Sequence, residues 1–103
     1  VTALGMVLQE LIANSLKYGA LSTVQGRITV RWSLQSTEPP NQLPLNFSWR
    51  ESHGPPITQA INPGVGTGLI QGLTRAELHG KADLQYPPEG ALHQFLFMLD
   101  RAE

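Results

Sequence analysis

A chain of 103 residues has room for one small hydrophobic core, so residues 1–103 are expected to form a single domain. Its seven Lys and Arg nearly cancel its eight Asp and Glu, which removes a broad electrostatic case for nucleic-acid binding. The lack of cysteine excludes disulfides, thiolate metal sites and cysteine nucleophiles, and no apolar run approaches the roughly 20 residues that span a bilayer.

The pattern of the chain begins at once. Over residues 2–18 the apolar Leu4, Leu8, Leu11, Ile12 and Leu16 recur at three- and four-residue steps, which predicts a helix with one stripe facing a core. Gly19 is its natural stop. Because the chain opens at Val1 rather than Met and enters this helix directly, it is expected to be a piece of a longer cytoplasmic protein, truncated at its N-terminal side.

Arg27–Leu34 alternates Ile28, Val30 and Trp32 with Arg27, Thr29, Arg31 and Ser33, the period of a half-buried strand. Residues 43–49 repeat it with Leu43, Leu45, Phe47 and Trp49, and the polar stretch 36–42, with two prolines, reads as the hairpin loop between them. Trp32 and Trp49 fall on the inward phase and are expected in the core. Residues 51–68 hold four glycines and three prolines, a loop long enough for a small domain to suggest a functional role. Leu69, Ile70, Leu73 and Leu78 mark a second helix closing near His79 and Gly80. Two further strands are expected over residues 81–86 and 92–99, joined by a turn at 87–90. Paired neighbouring strands and two helices predict a two-layer α/β sandwich: a mostly antiparallel sheet with both helices on one face.

On the first helix Glu10, Asn14 and Lys17 stand four and then three residues apart, so they share a face. That face is expected to point away from the Leu4, Leu8 and Leu11 stripe and to line a solvent-side groove. The same spacing also describes an ordinary solvated helix face. The run from Gly64 to Leu69 matches neither a dinucleotide fingerprint, which needs a final glycine where Leu69 stands, nor a P-loop, which needs lysine. Small residues leading into a helix N-terminus still leave backbone N–H groups free to meet an anion, and a plain glycine linker is the other reading. His53, His79 and His93 are scattered and lack acidic or cysteine companions at ligand spacing, which argues against zinc.

Taken together these segments resemble a known family. Residues 8–22, around Glu10, Asn14, Lys17, Tyr18 and Gly19, are similar to the N-box of the HWE histidine kinases, a branch of the GHKL ATPase superfamily. Trp49 and Glu51, followed by Gly54, Pro55 and Pro56, resemble the Trp-x-Glu box of that branch, and residues 64–70 its second glycine box. The resemblance covers nearly the whole chain and implies a Bergerat-type ATP-binding fold with ATP and Mg²⁺ as cofactors.

The resemblance also implies roles. Asn14 would help hold Mg²⁺ against the triphosphate, and Lys17 would offer a point charge to phosphate oxygens. Glu10 would order the water shell of the metal or accept a proton. Glu51 stands where related kinases carry an aspartate that accepts the amino hydrogen of adenine. Tyr18 would lie against the adenine ring or in the core. Gly54 would border the base, and the backbone at Gly64, Gly66, Thr67 and Gly68 would meet the phosphates. The implied partners are an upstream dimerisation domain carrying the phosphoacceptor histidine and a response-regulator receiver domain, in a homodimeric parent protein. The fragment alone is expected to bind nucleotide yet autophosphorylate poorly or not at all.

Two positions depart from the pattern. Gln9 stands where the family usually has histidine, and His53 replaces the first glycine of a Gly-Gly-Pro segment. They leave open a second reading, a degenerate kinase-like domain acting as a phosphotransfer scaffold or partner-binding module.

Overall fold

The computed structural model describes residues 2–34, 42–57 and 67–100. Helix α1 (Ala3–Lys17) leads into a single 3₁₀ turn (Ala20–Ser22), strands β1 (Arg27–Leu34) and β2 (Gln42–Ser52), helix α2 (Thr67–Ala76), and strands β3 (Lys81–Gln85) and β4 (Leu92–Asp100). The strands form one antiparallel sheet in the order β1-β2-β4-β3. Both helices contribute to the core on one face, so the predicted two-layer sandwich is the observed α+β architecture.

The register explains why the core is aromatic. Leu45, Phe47 and Trp49 of β2 stand opposite Phe97, Phe95 and His93 of β4, and side chains at such paired positions project from the same face. Phe47, Phe95 and Phe97 pack with ring centroids 5.2–5.9 Å apart. Val7 and Leu11 from α1, with Ile70 from α2, close the core from the helical layer.

Helix α1 starts where its cap permits. The hydroxyl of Thr2 accepts a hydrogen bond from Gly5 N–H at 3.0 Å, satisfying one of the amides that open a helix. The buried stripe is Val7, Leu11 and Ser15, with Leu4 and Leu8 only partly covered. Ile12 and Leu16, expected in the core, are exposed. Counting apolar residues pulled the stripe toward Leu8, Ile12 and Leu16, whereas the helix buries the row at steps of four through Ser15. Serine is small enough to lie beneath the following turn, and its Oγ accepts Leu21 N–H at 3.1 Å.

A second correction concerns Trp32. It shares the helix-bearing face with Phe47 across the β1–β2 ladder, as its phase predicts, but it is 68% exposed. Leu34 beside it is exposed too. Alternation fixes the face a residue points to, but not how far the helical layer extends over an edge strand.

The ends of the elements shift as well. Strand β2 runs on to Ser52 rather than stopping at Trp49, which brings Glu51 into the sheet. Strand β3 ends at Gln85 and α2 at Ala76. After α2 the amides of Glu77 and Leu78 bond back to Leu73 O, Gly80 N–H reaches Thr74 O at 2.9 Å, and His79 takes a left-handed φ of 52°. Most of the predicted hairpin loop and the centre of the glycine-rich loop, residues 35–41 and 58–66, lie outside the described residues.

Candidate functional site

The extra residues of β2 make the site. Glu51 continues the inward row of Leu45, Phe47 and Trp49, so its carboxylate enters the space between sheet and helices and is 7% exposed. A buried carboxylate must be met by donors, and two are present. Ala20 N–H donates to Oε1 and Trp49 Nε1–H to Oε2, each at 2.8 Å. The backbone of Glu51 is fixed too, its N–H bonding Ala91 O at 2.8 Å.

Close approach to this acid constrains its neighbours. Gly90 has a φ of 141° and presses against the Glu51 carbonyl, so a side chain there would be both strained and obstructed. A methyl group on Gly54 would come within 2.6 Å of Ala20 Cα. The Gly-Pro-Pro segment is therefore packed on the turn that follows α1, and Ile57 N–H ties its far end to Pro88 O at 3.1 Å. His53 has a φ of 59°, the left-handed conformation that glycine adopts freely. The substitution at this position thus loads backbone strain as well as bulk.

Beside Glu51 on the same face stand two aromatic groups that sequence reasoning left out of the site. Tyr86 and His93 meet edge to face, with centroids 5.1 Å apart. Burial, and next the charge of Glu51, raise the Tyr86 phenol above its usual range. Burial lowers His93 to about 4, against smaller opposing effects of Glu51, the Leu92 backbone and Asp83. The signal for His93 was its inward phase in β4, which would have flagged a polar residue in an apolar row.

The residues singled out on α1 separate by depth. Glu10 and Asn14 are half-buried, while Lys17 and Tyr18 are exposed at the end of the helix. The expectation that the Glu10, Asn14 and Lys17 face points away from the core is thus corrected for its first two members. Asn14 is three residues from Leu11, an offset of only about 60° around the helix, and so lies on the flank of the buried stripe. Tyr18 is not a core residue. The chain from Tyr18 through Gly19 to Ala20 brings this end of α1 onto the Glu51 carboxylate. Thr67 and Gly68 open α2, which packs against α1. Gly64 and Gly66 lie outside the described residues.

The fold and site define a small α+β domain with a buried acid where the ends of α1 and β2 meet. No protein-family profile matches the chain. It is 33% identical over 90 residues to the blue-light-activated histidine kinases of Brucella ovis and Brucella melitensis biotype 1, covering 87% of this chain and 18% of each of those proteins. With the blue-light-activated histidine kinase 1 of Erythrobacter litoralis it shares 37% identity over 93 residues, covering 87% of this chain and 24% of that protein. The chain belongs to the histidine-kinase family and spans about a fifth of the length of these curated relatives.

Among the described residues no helix is long and apolar enough to cross a membrane, and no group of three or more His, Cys, Asp or Glu is placed to hold a metal ion.

Proposed function

We propose that this chain is the ATP-binding and catalytic segment of a two-component histidine kinase of the HWE type. The observation that carries the reading is Glu51, an acid buried at the end of β2 and fixed from both sides beside the C-terminal end of the helix that bears Asn14 and Lys17. A carboxylate oxygen accepts more than one hydrogen bond, so each oxygen of Glu51 retains capacity for the amino group of a base. Gly54 and Tyr18 would border that base.

Asn14 and Lys17 fit the other end of the nucleotide. A hard cation such as Mg²⁺ takes few protein ligands when it arrives with a triphosphate, and an amide oxygen suits it. Asn14 would hold the ion, which neutralises developing charge on the phosphates. Lys17 would meet phosphate oxygens, Glu10 would order water or accept a proton, and the backbone at Gly64, Gly66, Thr67 and Gly68 would cradle phosphate at the start of α2. The γ-phosphoryl group would pass to a histidine of a separate dimerisation domain in a cytoplasmic, homodimeric parent and then to a response-regulator aspartate.

One observation favours the rival reading of a non-enzymatic scaffold. Both Glu51 oxygens already accept hydrogen bonds from their own chain, which is also what a purely structural acid would do. Calorimetric titration of the chain with ATP and Mg²⁺ separates the two. Saturable binding supports the kinase reading, and none leaves the scaffold.

Asn14→Ala is expected to lower Mg²⁺-dependent ATP affinity by about tenfold while the thermal midpoint holds, since alanine is the better helix former. Asn14→Asp, which keeps an oxygen in place, should be milder. Parallel losses of binding and stability would make Asn14 a structural residue, and melting curves recorded beside the titrations decide it.

A further inference from the structure

Both helices lie on the inward face of the sheet, and among the described residues no element covers the other face. The register maps that outer face row by row. Arg31, Ser48, Gln94 and Asp83 form one row across the four strands, and Thr29, Arg50 and Leu92 form part of the next. Arg50 stands opposite Thr29, so it is the diagonal neighbour of both Arg27 and Arg31, each about 7–8 Å away. All three arginines are exposed. Like charges so placed repel one another, and the ladder sets no acid among them on this face. Asp83, in the row of Arg31, is three strand spacings off, roughly 14 Å, and accepts a hydrogen bond from Gln85 Nε2 at 3.0 Å. Beside Arg31 the face dips into a trench of about 250 Å³ lined by Ser33, Asn46, Ser48 and Gln94.

We infer that this outer face is a docking surface for an acidic segment of a partner protein, whose carboxylates pair with Arg27, Arg31 and Arg50, one of them seated in the trench beside Arg31. The chain carries a net charge of −1, so a purely positive corner is a segregation of charge, and complementary potential orients and selects a partner. The opposite edge of the same face lacks it, since Lys81 and Asp83 alternate on β3. Guanidinium is the cation whose planar fork meets a carboxylate with two parallel hydrogen bonds. The hydroxyls and amides of the trench offer donors and acceptors to the backbone of the segment. In an extended peptide alternate side chains share a side and repeat at about 6.8 Å, close to the diagonal spacing of the arginines. A second copy of this chain would bring arginines against arginines in a face-to-face dimer. A nucleic-acid backbone needs a broad positive field, which the net charge denies. The sheet itself separates this surface from the Glu51 carboxylate, so the inference does not rest on nucleotide binding.

The probe is a short peptide alternating glutamate with alanine, titrated into the wild-type chain at low salt and followed by nitrogen–proton NMR. The side-chain resonances of Arg27, Arg31 and Arg50 and the amides of Ser48 and Gln94 are expected to shift together and saturably, and the response to shrink as salt is raised. The double variant Arg31→Glu with Arg50→Glu, its fold verified by a melting curve, is expected to bind at least about tenfold more weakly. Shifts that are absent, or scattered over the chain rather than confined to this face, overturn the proposal from the wild-type data alone, whether or not the variant folds. So does equal binding of the same peptide with glutamine in place of glutamate, or a folded double variant that binds as the wild type does. A DNA oligonucleotide of equal charge that binds this face in preference to the peptide overturns it in favour of nucleic acid.

Discussion

Replacing Glu51 by glutamine should destabilise the domain, although the two side chains are nearly isosteric. The carboxylate receives Ala20 N–H on one oxygen and Trp49 Nε1–H on the other. Glutamine has a single carbonyl oxygen, so in either orientation its NH₂ group faces one of these donors. A buried donor left unpaired costs about 1–3 kcal/mol, which in a domain of this size lowers the thermal midpoint by roughly 5–20 °C. Glu51→Ala leaves both donors without their partner and should fall at the upper end of that range. Melting curves followed by circular dichroism check this, and unchanged midpoints in both variants would remove Glu51 from its structural position.

The same variants test the nucleotide proposal through a readout that stability does not move. If Glu51 receives the adenine amino group, Glu51→Ala should weaken ATP binding about tenfold or more and GTP binding much less, because guanine carries a carbonyl there. Measured well below the melting point, the ATP-to-GTP ratio isolates recognition from folding. A folded variant with an unchanged ratio would leave Glu51 as a brace between α1 and β2 only.

The architecture was legible because its signals are local. Alternation in residues 28–34 and 43–49 names the strands and their inward faces, and the register of Trp49 opposite Val30 and His93 follows that phase. The terminus of β2 was not legible. Glu51 continues the inward phase, but a charged residue interrupts the apolar signal, and only the donors at Ala20 and Trp49 make its burial tolerable. Those donors come from 31 residues and two residues away, one a backbone N–H with no sequence signature.

The helix α1 shows the converse. Its apolar residues outnumber the places available in the core, so hydrophobicity alone could not choose between the Leu8, Ile12 and Leu16 row and the Val7, Leu11 and Ser15 row. The choice falls to Ser15 because the chain must turn tightly through Gly19 and Ala20 to reach Glu51, and Leu21 N–H needs the serine oxygen on the way. The site therefore shapes the packing of the helix, and the half-buried positions of Glu10 and Asn14 follow from the same rotation.

Acid should unfold this domain earlier than its carboxylates alone would dictate. His93 is held neutral by burial, with its pKa lowered from 6.5 to about 4. Between those values the unfolded chain carries a proton on this ring that the folded chain does not, so stability rises with pH across the window. The contribution is fully present above pH 6.5 and is lost progressively as pH falls to about 4. A shift of that size corresponds to up to about 3 kcal/mol, a large part of the stability of a small domain. Glu51, the Leu92 backbone and Asp83 act in the opposite direction, stabilising the imidazolium, but burial outweighs them and the lowered value already includes their effect. The thermal midpoint is expected to drop by at least several degrees between about pH 7 and pH 5, above most carboxylate titration. In His93→Phe the slope in that interval should largely vanish, since the only proton gained on unfolding at this position is gone. A wild-type midpoint that stays flat over the interval, or an equal slope in the phenylalanine variant, would show that His93 is not the titrating group that acid unfolding must charge.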